Sequence, residues 1–365
     1  MASVKQRSNG VWRARYRDQA GREHTKHEKT RRAAQRWLDE QTAAIVTGQW
    51  ADPGAGRVTW DEWVSRWMSM QVWADGTATA AKTAVESVSW RLKAIRDVKH
   101  GDVQTWVTKE SERGLAASTI RTRLNYVQMA FRAAVDNQVI SRNPASRVKT
   151  PRIRKREATM KILTADQVNA SLEAAGEFRA FVAVCAFAGL RLGEAAGLQV
   201  GDVDRVRNTI LVRRQVQGTS IPTTRIVPPK AGSEREVFVP AELIDMLAPY
   251  VSSPGVALDS FVFRSALGHL YNRNSAGEEW RRIRKTLGFG DEVTIHTFRH
   301  TFASNLIASG CDVVTVQRAL GHSQPSITLN VYSHLWPSAE DKTRSATATF
   351  MGQVLGSADS SRTPG

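Results

Sequence analysis

Six side chains in the second half of the chain have the types needed to transfer a phosphoryl group without a metal. They are two arginines, a lysine, two histidines and a tyrosine: Arg191, Lys230, His296, Arg299, His322 and Tyr332. Planar guanidinium groups bind the nonbridging oxygens of a phosphodiester and stabilise the charge that gathers there in the transition state. A phenol can attack phosphorus and conserve the bond energy as a phosphotyrosine. The set predicts cleavage and rejoining of phosphodiester bonds.

The histidines and the lysine would move protons or hold the phosphate in such a reaction. We expect His296 to assist removal of the proton from Tyr332. We expect His322 to hydrogen-bond the phosphate and Lys230 to protonate the leaving sugar oxygen. Lys230 is chosen because the turn Ala231-Gly232-Ser233 and a short strand follow it.

A metal or nucleotide site is not expected. His296 and His300 are four residues apart, as ligands on a helix would be, but no glutamate lies between them and the sequence indicates no third ligand. We expect His300 to face the protein and hydrogen-bond a neighbouring element. The sequence contains no G-x-x-x-x-G-K-[ST] loop, and two distant cysteines give neither a disulfide framework nor a cysteine-rich zinc site. No cofactor is predicted.

The elements that position these residues indicate a multidomain α+β fold. Residues 161–350 predict a mixed α/β, mainly helical catalytic domain, with helices starting at Thr164, Phe178, Pro240 and after Thr297, and with strands near 209–214 and 237–239. Residues 58–145 predict an all-α bundle, with Trp60, Trp63 and Trp67 at helical spacing and a long helix over 118–137. Residues 51–57 are predicted to be a linker, 146–160 a basic interdomain linker, and 351–365 a flexible tail.

Residues 1–50 predict a small β-sheet packed by one helix. The segment from Val11 to Arg17 alternates between apolar and basic residues, a turn and a second strand follow, and Thr30 caps a helix to about Ala44. The segment holds 11 lysines and arginines against 5 acidic residues. We therefore predict a DNA-binding domain in which one basic strand face reads or contacts DNA through Arg13, Arg15 and Arg17. An ordinary solvated strand face is the alternative.

The charge of the whole chain also indicates a nucleic-acid partner. The sequence has 51 Lys and Arg against 35 Asp and Glu, a net charge of +16. Such an excess favours a polyanion, because basic residues release the counterions condensed on phosphates. Further candidate DNA contacts are Arg121 and Arg123 in the bundle and Arg152 and Arg154 in the linker. The sequence shows neither a signal segment nor a membrane span, so we expect a cytoplasmic, nucleoid-associated protein in a bacterial host.

The motifs Gly-Leu-Arg-x-Gly-Glu, Lys, His-x-Phe-Arg-His, Leu-Gly-His and Tyr occur in an order that resembles the tyrosine recombinase (phage integrase) family. The resemblance covers roughly residues 163–340. It implies that Arg191, Lys230, His296, Arg299 and His322 surround the nucleophile Tyr332, with Glu194 in support. Two departures, Ala188 for threonine and Phe298 for leucine, affect no catalytic position.

The resemblance implies a 3′-phosphotyrosyl intermediate, a Holliday junction and four protomers acting on two double-stranded DNA sites. It also implies that residues 1–50 form an arm-type DNA-binding domain and residues 58–145 a core-DNA-binding domain, so that arm and core attachment sites are both bound. A host DNA-bending protein and a small excision factor are implied as partners, and a segment from Trp336 to about Gln353 is implied to dock on a neighbouring protomer. We therefore expect an integrase that integrates and excises a phage or mobile element. The alternatives are a dimer-resolving recombinase, a non-catalytic DNA-binding regulator, and a metal-dependent nuclease, for which no carboxylate cluster is found.

Overall fold

The structure is a computed structural model that describes residues 2–48, 50–152, 160–229, 233–252, 255–336 and 339–359. The chain divides into two compact units, Met1–Arg156 and Glu157–Gly365, and each is described by itself. No helix within the described ranges is long and apolar enough to cross a membrane.

The first unit begins with a small antiparallel sheet covered by one helix. Three strands pair in the order β1-β2-β3, followed by helix α1: β1 Ser3–Gln6, β2 Trp12–Arg17, β3 Glu23–Glu28 and α1 Arg31–Val46. The Thr30 side chain accepts a hydrogen bond from the backbone of Ala33 and so caps α1, as predicted. Ala14 and Tyr16 are buried with residues of α1, which leaves the arginine face of β2 outward. The sequence had not located β1.

The rest of the first unit is a helical bundle, as the sequence predicted. Its helices are α2 Trp60–Ser69, α3 Asp75–Glu86, α4 His100–Glu112 and α5 Ala117–Asp136. The buried indole of Trp60 donates to the carbonyl of Val85 at 2.9 Å, and that of Trp63 donates to the carbonyl of Ala130 at 2.9 Å. These bonds let Trp60 and Trp63 fill the core with their indole N–H groups satisfied.

The second unit opens with helices and short strands. They are α6 Ala165–Ala174, α7 Arg179–Phe187, α8 Leu192–Ala196, β4 Val203–Asp204, β5 Thr209–Val212, β6 Gln215–Gln217, β7 Arg225–Val227 and β8 Arg235–Phe238. One antiparallel sheet has the order β4-β5-β8, and β6 with β7 forms a separate hairpin. Thr164 and Gln167 exchange side-chain to backbone hydrogen bonds at the start of α6, as the predicted helix start requires.

Helices complete the second unit. They are α9 Ala241–Val251, α10 Arg273–Thr286, α11 Ile295–Ala308, α12 Val313–Leu320, α13 Pro325–Tyr332 and α14 Ala339–Asp359. α7 is buried from Ala180 to Ala186 and packs against α11, so it forms the centre of the core. The confirmed fold class is mixed and mainly helical. The sequence did not predict α10 or the strands β6 and β7. α14 runs to Asp359, whereas a flexible tail was expected from residue 351.

Candidate active site

A tight turn after α7 sets the position of Arg191. Gly189 has a φ of +62°, and a Cβ on it would lie 2.4 Å from Cδ1 of Phe302, so glycine is required here. Arg191 then starts α8: its backbone N–H donates to Oε2 of Glu194 at 3.0 Å, and its Nη1 donates to Oε1 at 2.6 Å. These two bonds fix the direction of a guanidinium group whose side chain is still 29% exposed.

The second arginine, Arg299, lies in α11 and is only 2% exposed. Its Nη1 donates to the carbonyl of Gly189 at 2.6 Å, and its Nη2 donates to the carbonyl of Leu320 at 2.5 Å. Burial, with Arg191 close by, lowers the pKa of Arg299 to about 9, so the group is still a cation at neutral pH. Backbone from two other segments thus holds a buried positive charge in one orientation.

The Glu194 carboxylate lies behind both arginines and connects them to a third. It is 2% exposed, and its Oε2 accepts from Nη2 of Arg235 at 2.9 Å and lies 3.9 Å from Nη1 of Arg299. Burial alone would raise the pKa of Glu194, but Arg235, then Arg191 and Arg299, outweigh it and lower the pKa. Glu194 is therefore a buried anion that orients the guanidinium groups.

Arg235, on β8, ties the sheet to the end of α12. Its Nε donates to the carbonyl of Ala319 at 2.9 Å and its Nη1 to the carbonyl of Ser233 at 3.1 Å. Its side chain is 6% exposed. Arg235 acts as a positioning residue because it holds both Glu194 and the backbone just before His322.

His322 follows α12, which ends at Gly321 in the left-handed conformation. Nη2 of Arg299 lies 3.3 Å from Nε2 of His322, and Nδ1 of His322 lies 2.8 Å from Oγ1 of Thr328. A guanidinium can only donate, so Nε2 accepts and Nδ1–H donates to the threonine. Burial, then Arg299 and Arg191, lower the pKa of His322 to about 4. The imidazole is therefore neutral at physiological pH.

Tyr332, the last residue of α13, is 2% exposed. Its hydroxyl lies 2.8 Å from Nδ1 of His300. Burial raises the pKa of Tyr332, although Arg299 and Arg191 oppose that effect. The sequence predicts that His296 assists removal of the phenolic proton, whereas in the structure the hydrogen bond to the phenol comes from His300. His300 does bond a neighbouring element, as predicted, and that element carries the tyrosine itself.

His296 lies one helical turn before His300 and faces the same cavity. The two rings meet edge to face, with centroids 4.6 Å apart and planes at 79°. The pKa of His296 is lowered to about 4, first by desolvation and then by His300 and Arg299. The residue itself is exposed, because it reaches solvent through the cavity. His296 is therefore placed to meet a bound phosphate as a neutral imidazole.

The side chains open onto one cavity of about 300 Å³. It is lined by Arg191, Ser233, His296, Arg299, His300, Gly321, His322, Ser323, Ile327, Val331 and Tyr332. Among the predicted catalytic residues, five line it and Glu194 lies directly behind it. Lys230 lies outside the described residues, as does the predicted DNA contact Arg154. The cavity presents cationic donors and a phenol, the two groups that in-line attack on a phosphodiester requires.

The other predicted DNA contacts have different environments. Arg13 and Arg15 are partly exposed and Arg17 is exposed on the outer face of the sheet, where Arg15 and Arg17 both approach Glu23 within 4 Å. Arg121 in α5 and Arg152 after the bundle are exposed.

Arg123 has a partner within the bundle. Its guanidinium pairs with the buried carboxylate of Glu110, which also accepts from Arg113 at 2.9 Å. Arg123 therefore has a structural role that its sequence position did not indicate, and its contact with DNA stays a prediction.

Three residues of the site were missed by the sequence analysis: Arg235, His300 as a partner of the tyrosine, and Thr328. His300 had a usable signal, because it lies four residues after His296 and so on the same face of α11. Arg235 had none, since Glu194 and Ala319 are distant in sequence. Thr328 lies six residues after its partner His322, a spacing that matches neither helical nor strand periodicity. No cluster of three or more possible metal ligands occurs among the residues that the structure describes.

A comparison with family models matches residues 161–338 to the phage integrase family. The chain is also similar to named recombinases and integrases. A XerC-like tyrosine recombinase of Caldanaerobacter subterraneus subsp. tengcongensis is 26% identical over 268 residues, 66% of this chain and 68% of the relative. The ICEBs1 integrase of Bacillus subtilis is 24% identical over 261 residues, 67% of this chain and 69% of the relative.

Solved structures share the fold. The Tn1549 transposon integrase in complex with a circular intermediate DNA superposes with a TM-score of 0.68 at 20% identity, covering 80% of this chain and 99% of that one. A lambda integrase tetramer bound to a Holliday junction gives 0.56 at 17% identity, covering 88% of this chain and 96% of that one.

Proposed function

Because this chain belongs to the tyrosine recombinase (phage integrase) family and is a tyrosine-type site-specific recombinase, we propose that it integrates and excises a phage or other mobile element. The observation that carries the chemistry is that Tyr332 lines the same cavity as Arg191 and Arg299. A phosphate bound by both guanidinium groups lies within reach of the phenol. The proposed roles of the individual residues follow from this arrangement.

In the cleavage step the phenol oxygen of Tyr332 attacks phosphorus and the bond to the 5′ oxygen breaks. The product is a 3′-phosphotyrosyl link. Arg191 and Arg299 bind the nonbridging oxygens, and their orientation is fixed beforehand by Glu194 and by backbone carbonyls, so little reorganisation accompanies the rise in charge. Lys230 gives a proton to the leaving 5′ oxygen, which then attacks the partner duplex.

His322 has to change its hydrogen bonds when phosphate binds. Its Nε2 accepts from Arg299 in this structure, and a phosphate oxygen offers no proton. His322 can donate to the phosphate only if it exchanges tautomer or gains a proton, and the negative charge of the bound phosphate favours that gain. His296 contacts the same phosphate from α11. Tetramer assembly on two attachment sites, through a Holliday junction, completes the exchange.

The small N-terminal sheet supports an integrase rather than a dimer-resolving recombinase. Its outer face presents Arg13, Arg15 and Arg17, while the opposite face packs on α1. A basic ribbon of this size can contact DNA at a site apart from the exchange point. A host DNA-bending protein and an excision factor would then be partners. A non-catalytic regulator is disfavoured, because DNA binding alone does not need a buried tyrosine beside buried arginines.

The chemistry is tested with wild-type protein and Tyr332→Phe on labelled attachment-site DNA in EDTA. The DNA carries a nick near the exchange point, so that the cleaved fragment diffuses away and the covalent product accumulates. We expect a denaturant-resistant adduct with the wild type alone. The same reactions are run with Mg²⁺ in place of EDTA. Binding by both proteins with adduct from neither under either condition would reject Tyr332 as the nucleophile, and a wild-type adduct that forms with Mg²⁺ but not in EDTA would indicate a metal-dependent reaction.

The proposed contact of the N-terminal sheet with arm-site DNA, which flanks the exchange point, is tested separately with Arg13→Ala and the matched control Arg36→Ala. Both changes remove one charge from the same small domain, but Arg36 lies on the exposed side of α1. We expect Arg13→Ala alone to weaken binding to the flanking DNA. We also expect it to reduce the slope of the logarithm of the binding constant against the logarithm of salt concentration by about one. Equal effects of the two variants would mean that the domain contributes only general charge.

A further inference from the structure

The hydrogen bond between His300 and Tyr332 joins the tyrosine to a side chain to which the sequence motifs assign no role in the reaction. Nδ1 of His300 lies 2.8 Å from the phenol oxygen, and the ring centroids are 5.7 Å apart. Tyr332 is 2% exposed and His300 is half-buried. The phenol is therefore held by protein rather than by bulk water, which restricts the groups that can accept its proton.

Two other groups of the site are less suited to take that proton. His296 lines the cavity, but its ring packs edge to face on His300, and the described hydrogen bonds of the phenol do not include it. Glu194 lies behind the arginines, and its carboxylate is occupied by Arg191 and Arg235. His300 is the described residue that already contacts the reacting oxygen.

The protonation states of the pair fit a transfer toward His300. Burial, then Arg299, lower the pKa of His300, so its ring is neutral at physiological pH. Burial raises the pKa of Tyr332, so the phenol keeps its proton until it reacts. Among the described residues, His296 and Arg299 on α11 and Tyr332 on α13 contact or influence His300, and Arg191 and His322 line the same cavity. A neutral imidazole beside a protonated phenol is the starting state of general-base catalysis.

We propose that His300 is a further catalytic residue, which takes the phenolic proton of Tyr332 on Nδ1 as the phenol oxygen bonds to phosphorus. The O–H bond of the phenol breaks and an N–H bond forms on His300, while the O–P bond forms and the bond from phosphorus to the 5′ oxygen breaks. The 5′ oxygen takes its proton from a separate acid. In rejoining, His300 returns the proton to the departing phenol. The inference rests on the proposed role of Tyr332 as nucleophile.

The test compares His300→Asn with His296→Asn in the full chain. The asparagine amide occupies nearly the place of Nδ1 and can keep a hydrogen bond to the phenol, but it cannot accept a proton. Single-turnover adduct formation on nicked DNA is measured across the pH range in which the protein stays folded. His300→Gln is measured in parallel, so that a folding defect in one variant does not decide the outcome.

We expect the His300 variants to form adduct about 10²- to 10⁴-fold more slowly than wild type at neutral pH. Their rate should rise about tenfold per pH unit, because hydroxide then removes the proton, whereas the wild-type rate should be nearly flat there. His296→Asn should be slower without this steep rise. A steep rise in His296→Asn and not in the His300 variants would overturn the proposal.

A fluorinated tyrosine at position 332 separates proton removal from simple positioning. Fluorine makes the phenol more acidic, so it should restore much of the lost rate in His300→Asn and change the wild-type rate little. Equal effects in both backgrounds would show that His300 only positions the phenol. Failure of the proposed function looks different, since wild-type protein would then form no adduct on the nicked DNA.

Discussion

Replacing Glu194 by glutamine tests whether one buried carboxylate organises the arginines of the site. Glutamine has nearly the same shape but no charge. Oε1 of Glu194 accepts from Nη1 of Arg191, and Oε2 accepts from the backbone of Arg191 and from Arg235. Whichever way the amide turns, its NH₂ group faces a donor. The variant therefore loses both the charge and at least one hydrogen bond.

The size of the effect follows from the burial of the partners. The side chains of Arg235 and Arg299 are 6% and 2% exposed, and that of Glu194 is 1% exposed. Removing one partner of such a buried arrangement costs about 3–5 kcal/mol. Arg191 is 29% exposed and adds at most about 1 kcal/mol after solvent screening. We expect the free energy of unfolding of this unit to fall by about 3–5 kcal/mol at neutral pH.

The assay is equilibrium unfolding in urea, followed by hydrogen exchange in peptides from α7, α8 and α11, which report on the unit that contains Glu194. The pKa of Glu194 is lowered in the folded state, so its contribution to the free energy of unfolding is fully present above the ordinary glutamate pKa. This contribution is lost as pH falls through the folded-state pKa. The difference between wild type and Glu194→Gln should therefore shrink in acid.

The control is Glu177→Gln, which removes an exposed carboxylate from the same unit. A surface change of this kind alters stability by no more than about 0.5 kcal/mol. If Glu194→Gln behaved like this control, or if its deficit stayed constant into acid, the arginines would be organised by their backbone contacts and not by the carboxylate.

Three further predictions concern the surroundings of the site. Gly189→Ala should lower the free energy of unfolding by about 2–5 kcal/mol, because the added Cβ strains the backbone and overlaps Phe302. The control Gly288→Ala, at a φ of +66° with open space around it, should lower it by only about 1–2 kcal/mol, from backbone strain alone. Unfolding in urea compares the two variants. Arg235→Lys should cost about 1–3 kcal/mol in the same assay, because one ammonium cannot replace three directed bonds. Thr328→Val should slow adduct formation about three- to tenfold by releasing Nδ1 of His322, and Thr328→Ser should restore it.

Short-range features of this fold could be predicted from the sequence because their causes are local. The hydrogen bonds between Thr164 and Gln167 connect residues three apart, and the arginine face of β2 follows from alternation along the strand. The turn at Gly189 was visible only as part of a motif. Its physical reason, the ring of Phe302, comes from α11, more than a hundred residues away.

Long-range pairings could not be predicted because they depend on how helices pack. Arg123 looked like an exposed base on α5, but α4 places the buried Glu110 against it. The proton partner of Tyr332 is chosen by the packing of α11 against the end of α13, which selects His300 over a histidine only four residues earlier. In α14 the helix continues to Asp359 through a segment whose composition had indicated a flexible tail.

The charges around the cavity suggest why the site binds a transition state better than a substrate. Arg191, Arg299 and Arg235 carry three positive charges and Glu194 one negative charge, while the histidines are neutral, so these described groups have a net charge of +2. A phosphodiester carries one negative charge, and the pentacoordinate state carries two once the phenolic proton has moved to His300. The fixed charges therefore match the charge that develops during attack, and such an excess stabilises the transition state more than the bound DNA. The same balance predicts that removing the Glu194 charge would strengthen phosphate binding while loosening the orientation on which the rate depends.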